Sequence, residues 1–307
     1  MKRALNGRLA GMAAALMVMV AGSALADVRD AALDQKVAAE TQDMASLQKA
    51  ATAGDAKAQL RLGDDYYYGN GVAQDYKAAF DWYSKSAAQG NATAETLVGM
   101  MYCKGVGVTQ DYAKGLEWTH KAADQGSVEA MYNIGAAYDN GLGVEHDLKQ
   151  AFAWYLKSAE GGYDGAQFNV GNMYEVGEGV AQDNAQAMAW YQKAADQNYA
   201  PAQFNLGRIY FHGQGVPVDQ TRGRDLIEKA ARQGLPLAQL NMAEFYYNGD
   251  SVPVDKVTAY AWGLLAADGG DPDAQDLIHT MDTNHELTDD QQKQASDLAD
   301  KLSQPQA

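Results

Sequence analysis

The chain has 307 residues, with 40 acidic against 24 basic side chains, five histidines and one cysteine, for a formal net charge of −16. So acidic a chain is a poor match for nucleic acid, which is gripped by cations that neutralise phosphate. A single cysteine excludes an internal disulfide framework, so stability has to come from packing or from partners.

Residues 1–26 read as a cleaved signal peptide: a basic start (Lys2, Arg3, Arg8), an apolar run from Leu9 to Ala21, and small residues at Ala24-Leu25-Ala26. Cleavage before Asp27 leaves 21 basic residues against 40 acidic ones. No second apolar stretch of membrane-spanning length follows. A periplasmic or secreted chain with no membrane insertion after cleavage is therefore expected. Residues 27–54 read as an N-terminal capping half repeat, since Lys49-Ala50-Ala51 and Gly54 share a register with Lys85-Ser86-Ala87 and Gly90.

From 55 to 270 one pattern returns six times, every 36 residues, without insertion or deletion. Gly63, Gly99, Gly135, Gly171 and Gly207 hold one slot; Tyr66, Tyr102, Tyr138, Tyr174, Tyr210 and Tyr246 hold another. A Gly-x-Gly-Val turn, as in Gly177-Glu178-Gly179-Val180, is followed by Asp75, Asp111, Asp147, Asp183, Asp219 and Asp255. Each unit predicts two helices. The first runs from about Asp55 to Tyr68, with Ala58, Leu62, Gly63 and Tyr66 on one face, and stops at Gly69. Asp75 then caps a second helix to about Ala88, whose apolar bulk is Phe80, Trp82, Tyr83 and Ala87.

Glycine inside a helix costs about 1 kcal/mol relative to alanine. Five of them at one slot imply a close neighbour: small residues at 58, 63 and 87 would receive the rings at 66, 82 and 83. One helix pair cannot complete that core, so stacked pairs must share it. Residues 271–307 close the array with a lone first helix over 271–282. Thr288-Asp289-Asp290-Gln291 then forms a capping box, opening a polar capping helix to about Leu302. The expected fold is all-α, an α/α superhelical solenoid of antiparallel helix pairs.

The run from Ala58-Gln59 through Leu62-Gly63, Tyr66, Gly69-x-Gly71-Val72, Gln74-Asp75-Tyr76, Ala79, Trp82-Tyr83, Lys85, Ala87 and Gly90 resembles the Sel-one-like repeat, a relative of the tetratricopeptide repeat. The resemblance covers about 44–282 and implies a right-handed superhelix used for protein–protein contact. It implies an adaptor, a scaffold or a regulator of envelope signalling. A cysteine-rich branch of the family suggests an alternative, a cell-wall or β-lactam hydrolase, but its disulfide ties need cysteines that this chain lacks. The later units depart from the pattern: Leu226 stands in the Trp82 slot, Ala243 in the Gly63 slot and Ser251 in the Gly71 slot, which predicts looser packing there.

In related solenoids the groove is lined by the first helices, which singles out the slots of 57, 60, 61, 64 and 68. Slot 64 varies (Asp64, Met100, Ala136, Asn172, Arg208, Glu244), and so does slot 68 (Tyr68, Lys104, Asn140, Val176, His212, Asn248). Slot 61 holds Asn133, Asn169, Asn205 and Asn241, which would either bond along an extended peptide backbone or bond within the fold. Repeat five, residues 199–234, is the one net-positive repeat, with Arg208, Arg222, Arg224, Lys229 and Arg232 against Asp219, Asp225 and Glu228. It either grips an acidic partner segment or offsets the acidic C-terminal end. The candidate partner-binding residues are thus Asn133, Asn169, Asn172, Asn205, Arg208, His212, Arg224, Asn241 and Glu244.

No catalytic, cofactor or metal site is expected. His120, His146, His212, His279 and His285 include no pair at the i, i+4 spacing of a helical metal site. Ser46-x-x-Lys49 has the form of a serine β-lactamase motif, but Lys49 fills the slot of Lys85, Lys121, Lys157, Lys193 and Lys229, and neither Ser-Asp-Asn nor Lys-Thr-Gly is present. Cys103 reads as a half-buried packing residue.

Overall fold

The computed structural model describes residues 44–304; the expected signal peptide and the rest of the segment up to 43 lie outside them. Fifteen helices and no strand occur among the described residues, so the chain is all-α, as the 36-residue period predicts. They fall into two compact units, divided between His146 and Asp147.

The first unit holds α1 (Met44–Thr52), α2 (Ala56–Tyr68), α3 (Tyr76–Ala87), α4 (Ala92–Lys104), α5 (Tyr112–Asp124) and α6 (Val128–Asn140). The second holds α7 (Leu148–Glu160), α8 (Asp164–Val176), α9 (Asn184–Asp196), α10 (Ala200–His212), α11 (Gln220–Arg232), α12 (Pro236–Asn248), α13 (Lys256–Asp268), α14 (Pro272–Thr283) and α15 (Asp289–Leu302). Within each unit every helix up to α14 packs against the next along the chain, the nearest-neighbour order of stacked helix pairs. The closing helix α15 instead lies on α13.

Local chemistry sets the helix ends. Asp55 accepts from Ala58 N, Asp75 from Ala78 N, and Asp183 from both Ala185 N and Gln186 N, each supplying a donor-rich N-terminus with an acceptor. Gly69 ends α2 at φ 74°, a left-handed conformation that costs glycine nothing. The same aspartates fasten the turn backwards: Asp75, Asp111, Asp183, Asp219 and Asp255 each donate their N–H to the carbonyl of the repeat's tyrosine, all at 2.9 Å. The Thr288–Gln291 capping box at the start of α15 is present as read.

The second turn glycine has a different duty. At Gly179, φ +71°, an added Cβ would lie 2.2 Å from Leu148 O, in the first turn of the preceding repeat's second helix. Gly107 meets Tyr76 O in the same manner, at 2.1 Å. In repeats two and four the turn is therefore seated on the backbone of the repeat before.

The core follows the expected rule of large into small. The Tyr83 ring covers Gly63, where a Cβ would stand 2.5 Å from it, and the Tyr191 ring covers Gly171 at 2.7 Å. Looser packing is expected of the later repeats, and the turn of repeat five is the more open one, with Asn184 Cβ 3.8 Å from a Cβ at Gly215, but the core of repeat six is closed. In repeat six the sizes exchange places: Ala243 fills the glycine slot, Gly263 stands where the tyrosine was, and Ile278 of α14 closes over it. Trp262, 2% exposed, sits in an extensive apolar cluster with Phe245, Tyr260, Met281, Leu287 and Leu302.

Candidate functional site

The face lined by first helices belongs to α2, α4 and α6 in the first unit and to α8, α10 and α12 in the second. One of the slots assigned to it does not belong there. Tyr132, Phe204 and Leu240, all in the slot of residue 60, are buried core residues, because that position turns toward the neighbouring helix pair. Slot 57 holds Gly165, Pro201 and Leu237 in the second unit, which leaves the slots of 61, 64 and 68 for polar contacts there.

In the second unit these slots form a polar cluster around Arg208, which is only 7% exposed. Its Nη2 donates to Glu175 Oε1 at 3.1 Å, while Nε is buried without a hydrogen-bond partner among the described residues. Glu175 Oε2 accepts from the Tyr191 hydroxyl at 2.6 Å, and that hydroxyl also lies against Asn172 Oδ1. Asn205 Nδ2 donates to the same Asn172 oxygen at 3.2 Å. Burial, followed by the Glu175 carboxylate, pushes the Tyr191 hydroxyl well above its ordinary value, so it stays a proton donor at any physiological pH. An ion pair out of water needs such added bonds to offset its desolvation. α8, α9 and α10 supply them together.

Three of the nine candidate residues, Asn172, Asn205 and Arg208, are thus brought into one cluster. Glu175 and Tyr191 complete it, and sequence reading missed both. A signal was available: Tyr191 follows Asn172 by 19 residues, and Tyr83 follows Asp64 by the same interval, with a 2.7 Å bond from its hydroxyl to Asp64 Oδ1.

The other six candidates are distributed over α6, α8, α10, α11 and α12. Asn133 on α6 and Asn169 on α8 are half-buried. Asn241 turns its Nδ2 back to Leu237 O of its own helix at 2.9 Å. His212 is exposed at the end of α10, its ring edge-on to Phe211. Glu244 is exposed on α12, where desolvation, with Asp271 and Asp250 nearby, pushes its carboxyl up. Arg224 is on α11, a second helix; its Nη1 donates to Ser251 O at 3.0 Å and its Nη2 meets Asp225 at 3.1 Å.

The remaining arginines of repeat five are also engaged. Arg222 lies over the Tyr210 ring at 4.0 Å, and Arg232 pairs with Glu228 at 2.7 Å. Among the described residues no group of three or more His, Cys, Asp or Glu is placed to hold a metal ion. Burial pushes the Cys103 thiol up to about 11, which keeps it protonated near neutrality. No described helix is long and apolar enough to cross a membrane.

The family model for the Sel1 repeat matches residues 56–91, 92–127, 128–163, 165–199, 200–235 and 236–271. The chain belongs to the Sel1 repeat family. Sel1 repeats are generally protein-interaction modules on a fold that is typically non-enzymatic. Among solved structures, the chain is similar to c5321, a protective antigen present in uropathogenic Escherichia coli strains and displaying an SLR fold. The identity is 32% and the TM-score 0.65, over 84% of this chain and 55% of that one. The chain thus spans about half of the Escherichia coli protein. A Sel1 repeat protein from Oxalobacter formigenes is also 32% identical, with a TM-score of 0.69 over 71% of this chain and 89% of that one. No curated protein matches the chain.

Proposed function

We propose that this Sel1 repeat protein is an exported adaptor or envelope-signalling regulator that binds a partner protein through the first-helix face. The observation that carries this reading is the division of labour among slots. Recurring positions are spent on packing: tyrosine over glycine, aspartate on tyrosine carbonyl, turn glycine on helix backbone. Slot 68 on the same helices changes from repeat to repeat and is exposed at Lys104, Asn140, Val176, His212 and Asn248, which is how a scaffold writes specificity.

Export is supported by the tripartite start of residues 1–26. The compartment is then the periplasm or the outside of the cell, and the mature chain begins at Asp27. An acidic partner segment is supported by the charge of repeat five. Because its arginines already hold internal partners, an incoming carboxylate would share Arg208 with Glu175, or Arg224 with Ser251 and Asp225.

Cross-linking in the native envelope, followed by identification of the captured protein, tests the main reading. The expected result is one protein recovered with linkages on α8, α10 and α12. Linkages confined to the second helices would overturn the face assignment. For the acidic segment, Arg208→Glu combined with Arg224→Glu should weaken that partner at least tenfold, about 1.4 kcal/mol. Arg224→Glu alone, which leaves the α8–α10 cluster intact, separates lost charge from lost fold. Unchanged affinity removes the acidic-segment reading. N-terminal sequencing of the exported protein should start at Asp27.

A further inference from the structure

Where repeats one, four, five and six meet the helix before them, one polar rule recurs. A buried glutamine in the first turn of the first helix donates Nε2 to a carbonyl in the last turn of the second helix before it. Gln59 reaches Ala51 O at 3.0 Å, Gln167 reaches Ala159 O at 3.2 Å, Gln203 reaches Ala195 O at 3.4 Å and Gln239 reaches Ala231 O at 3.1 Å. In three of these repeats the Oε1 accepts from a glutamine just past the repeat's own second helix: Gln89 to Gln59 at 2.7 Å, Gln197 to Gln167 at 2.9 Å and Gln233 to Gln203 at 2.7 Å. A carboxamide both donates and accepts, so one side chain joins three elements and serves a helix-end carbonyl.

Repeat two has Glu95 in that slot, 4% exposed. The accepting half of the rule survives, since Gln125 Nε2 donates to Glu95 Oε2 at 2.7 Å. The donating half depends on protonation. An ionised carboxylate has no hydrogen for Ala87 O, the 36-residue counterpart of Ala51 O, whereas a carboxylic acid does and has nearly the shape of the glutamine amide.

Little charge surrounds the group. Lys121 of α5 and Gln125, just past its end, act on it. On α3 the facing last turn holds Ser86 and Ala87, while Lys85 lies over the Trp82 ring at 3.6 Å. In the first turn of α6 the one carboxylate, Glu129, takes the Ser127 hydroxyl at 3.1 Å.

We propose that Glu95 is a proton-operated bolt between repeats one and two. Uptake of one proton from solvent by the Glu95 carboxylate supplies the O–H that donates to Ala87 O and draws α4 onto α3. Loss of that proton breaks the bond and leaves a buried charge. Burial raises the Glu95 carboxyl above the ordinary glutamate value, against the opposing pull of Gln125 and Lys121. A carboxyl raised on folding gives its full stabilisation below its unfolded pKa and loses it as pH rises through the folded one. The junction therefore tightens on acidification.

The test compares the full chain with its Glu95→Gln variant in thermal unfolding from pH 8 down to pH 4, with the difference between them isolating this one group from all other carboxylates. Glu95→Gln should melt about 2–4 °C higher at pH 8, and the gap should close as pH falls into the ordinary glutamate range. The carboxyl carbon of Glu95, followed by NMR in the wild-type chain, should titrate above that range; this measurement stands if the variant fails to fold. Gln203→Glu should install a pH-dependent weakness of the same sign in the second unit. A gap independent of pH, a variant that melts lower at pH 8, or a Glu95 titration at or below the ordinary range overturns the proposal.

Discussion

Repeats four and five lie side by side in the second unit and share the same first-helix glycine, Gly171 and Gly207, yet they close in different ways. In repeat four the glycine receives a ring: Tyr191 covers Gly171, and Ala187 stands one turn earlier on α9. In repeat five the ring is gone and the backbones meet. A Cβ at Gly223 would lie 2.6 Å from Phe211 N and 2.7 Å from Gly207 O, and Ile227 packs where the tyrosine was. Repeats one and two show the same contrast, with Tyr83 over Gly63 in one and Gly99 against Gly115 O in the other. One slot pattern thus supports two closures: a ring with a polar tip, or two bare helices in contact. Only the first carries a hydroxyl out to the first-helix face, where Tyr83 meets Asp64 and Tyr191 meets Glu175.

The largest expected effect comes from breaking the bare contact. Gly223→Leu places a side chain against main-chain atoms that no rotamer can move, and should cost at least 3 kcal/mol in urea unfolding, at the upper end of overpacking penalties. Gly171→Ala meets ring carbons at 2.7 Å and Ala187 O at 3.2 Å; because a ring can shift, it should cost less, about 1–2 kcal/mol. If the two variants lose equal stability, the two closures are not distinct. Tyr191→Phe keeps the ring but removes a hydrogen bond to a carboxylate, so about 1.5–3 kcal/mol is expected, with faster amide exchange in α8 and α10 and little in α13. Asp183→Ala removes the cap of α9 for about 1 kcal/mol. Lys193→Ala removes an exposed cation 3.5 Å over the buried Trp190 ring and should change stability by about 0.5–1 kcal/mol.

Much of this architecture could be read from the sequence, because local rules and global order agree. Asp75 at a cap, Gly69 at a left-handed helix end and the Thr288–Gln291 box each need only a few neighbouring residues to be recognised. The period itself supplied the stacking. What escaped reading depends on which atom a side chain meets in the next helix. The slot of residue 60 looked like groove because it shares a helix face with 57 and 64, yet Phe204 points into the core. The recurrence of Gln59, Gln167, Gln203 and Gln239 was in plain view, but its partner is a main-chain carbonyl, which has no letter in a sequence. The cluster at Arg208 was legible by halves: Arg208, Asn172 and Asn205 stood out as variable or polar, whereas Tyr191 required the 19-residue offset between facing helices and Glu175 the 33-residue offset from Arg208.

The seating of Gly107 on Tyr76 O and of Gly179 on Leu148 O bears on how such an array can change in length. Each seat joins a turn to the repeat before it, so one extra residue between them would unseat the turn and rotate the next helix out of phase. A duplicated or deleted block of 36 residues leaves every seat intact. Growth by whole blocks is therefore nearly free of strain, and the number of repeats becomes a dimension that ancestry can adjust without redesigning any contact.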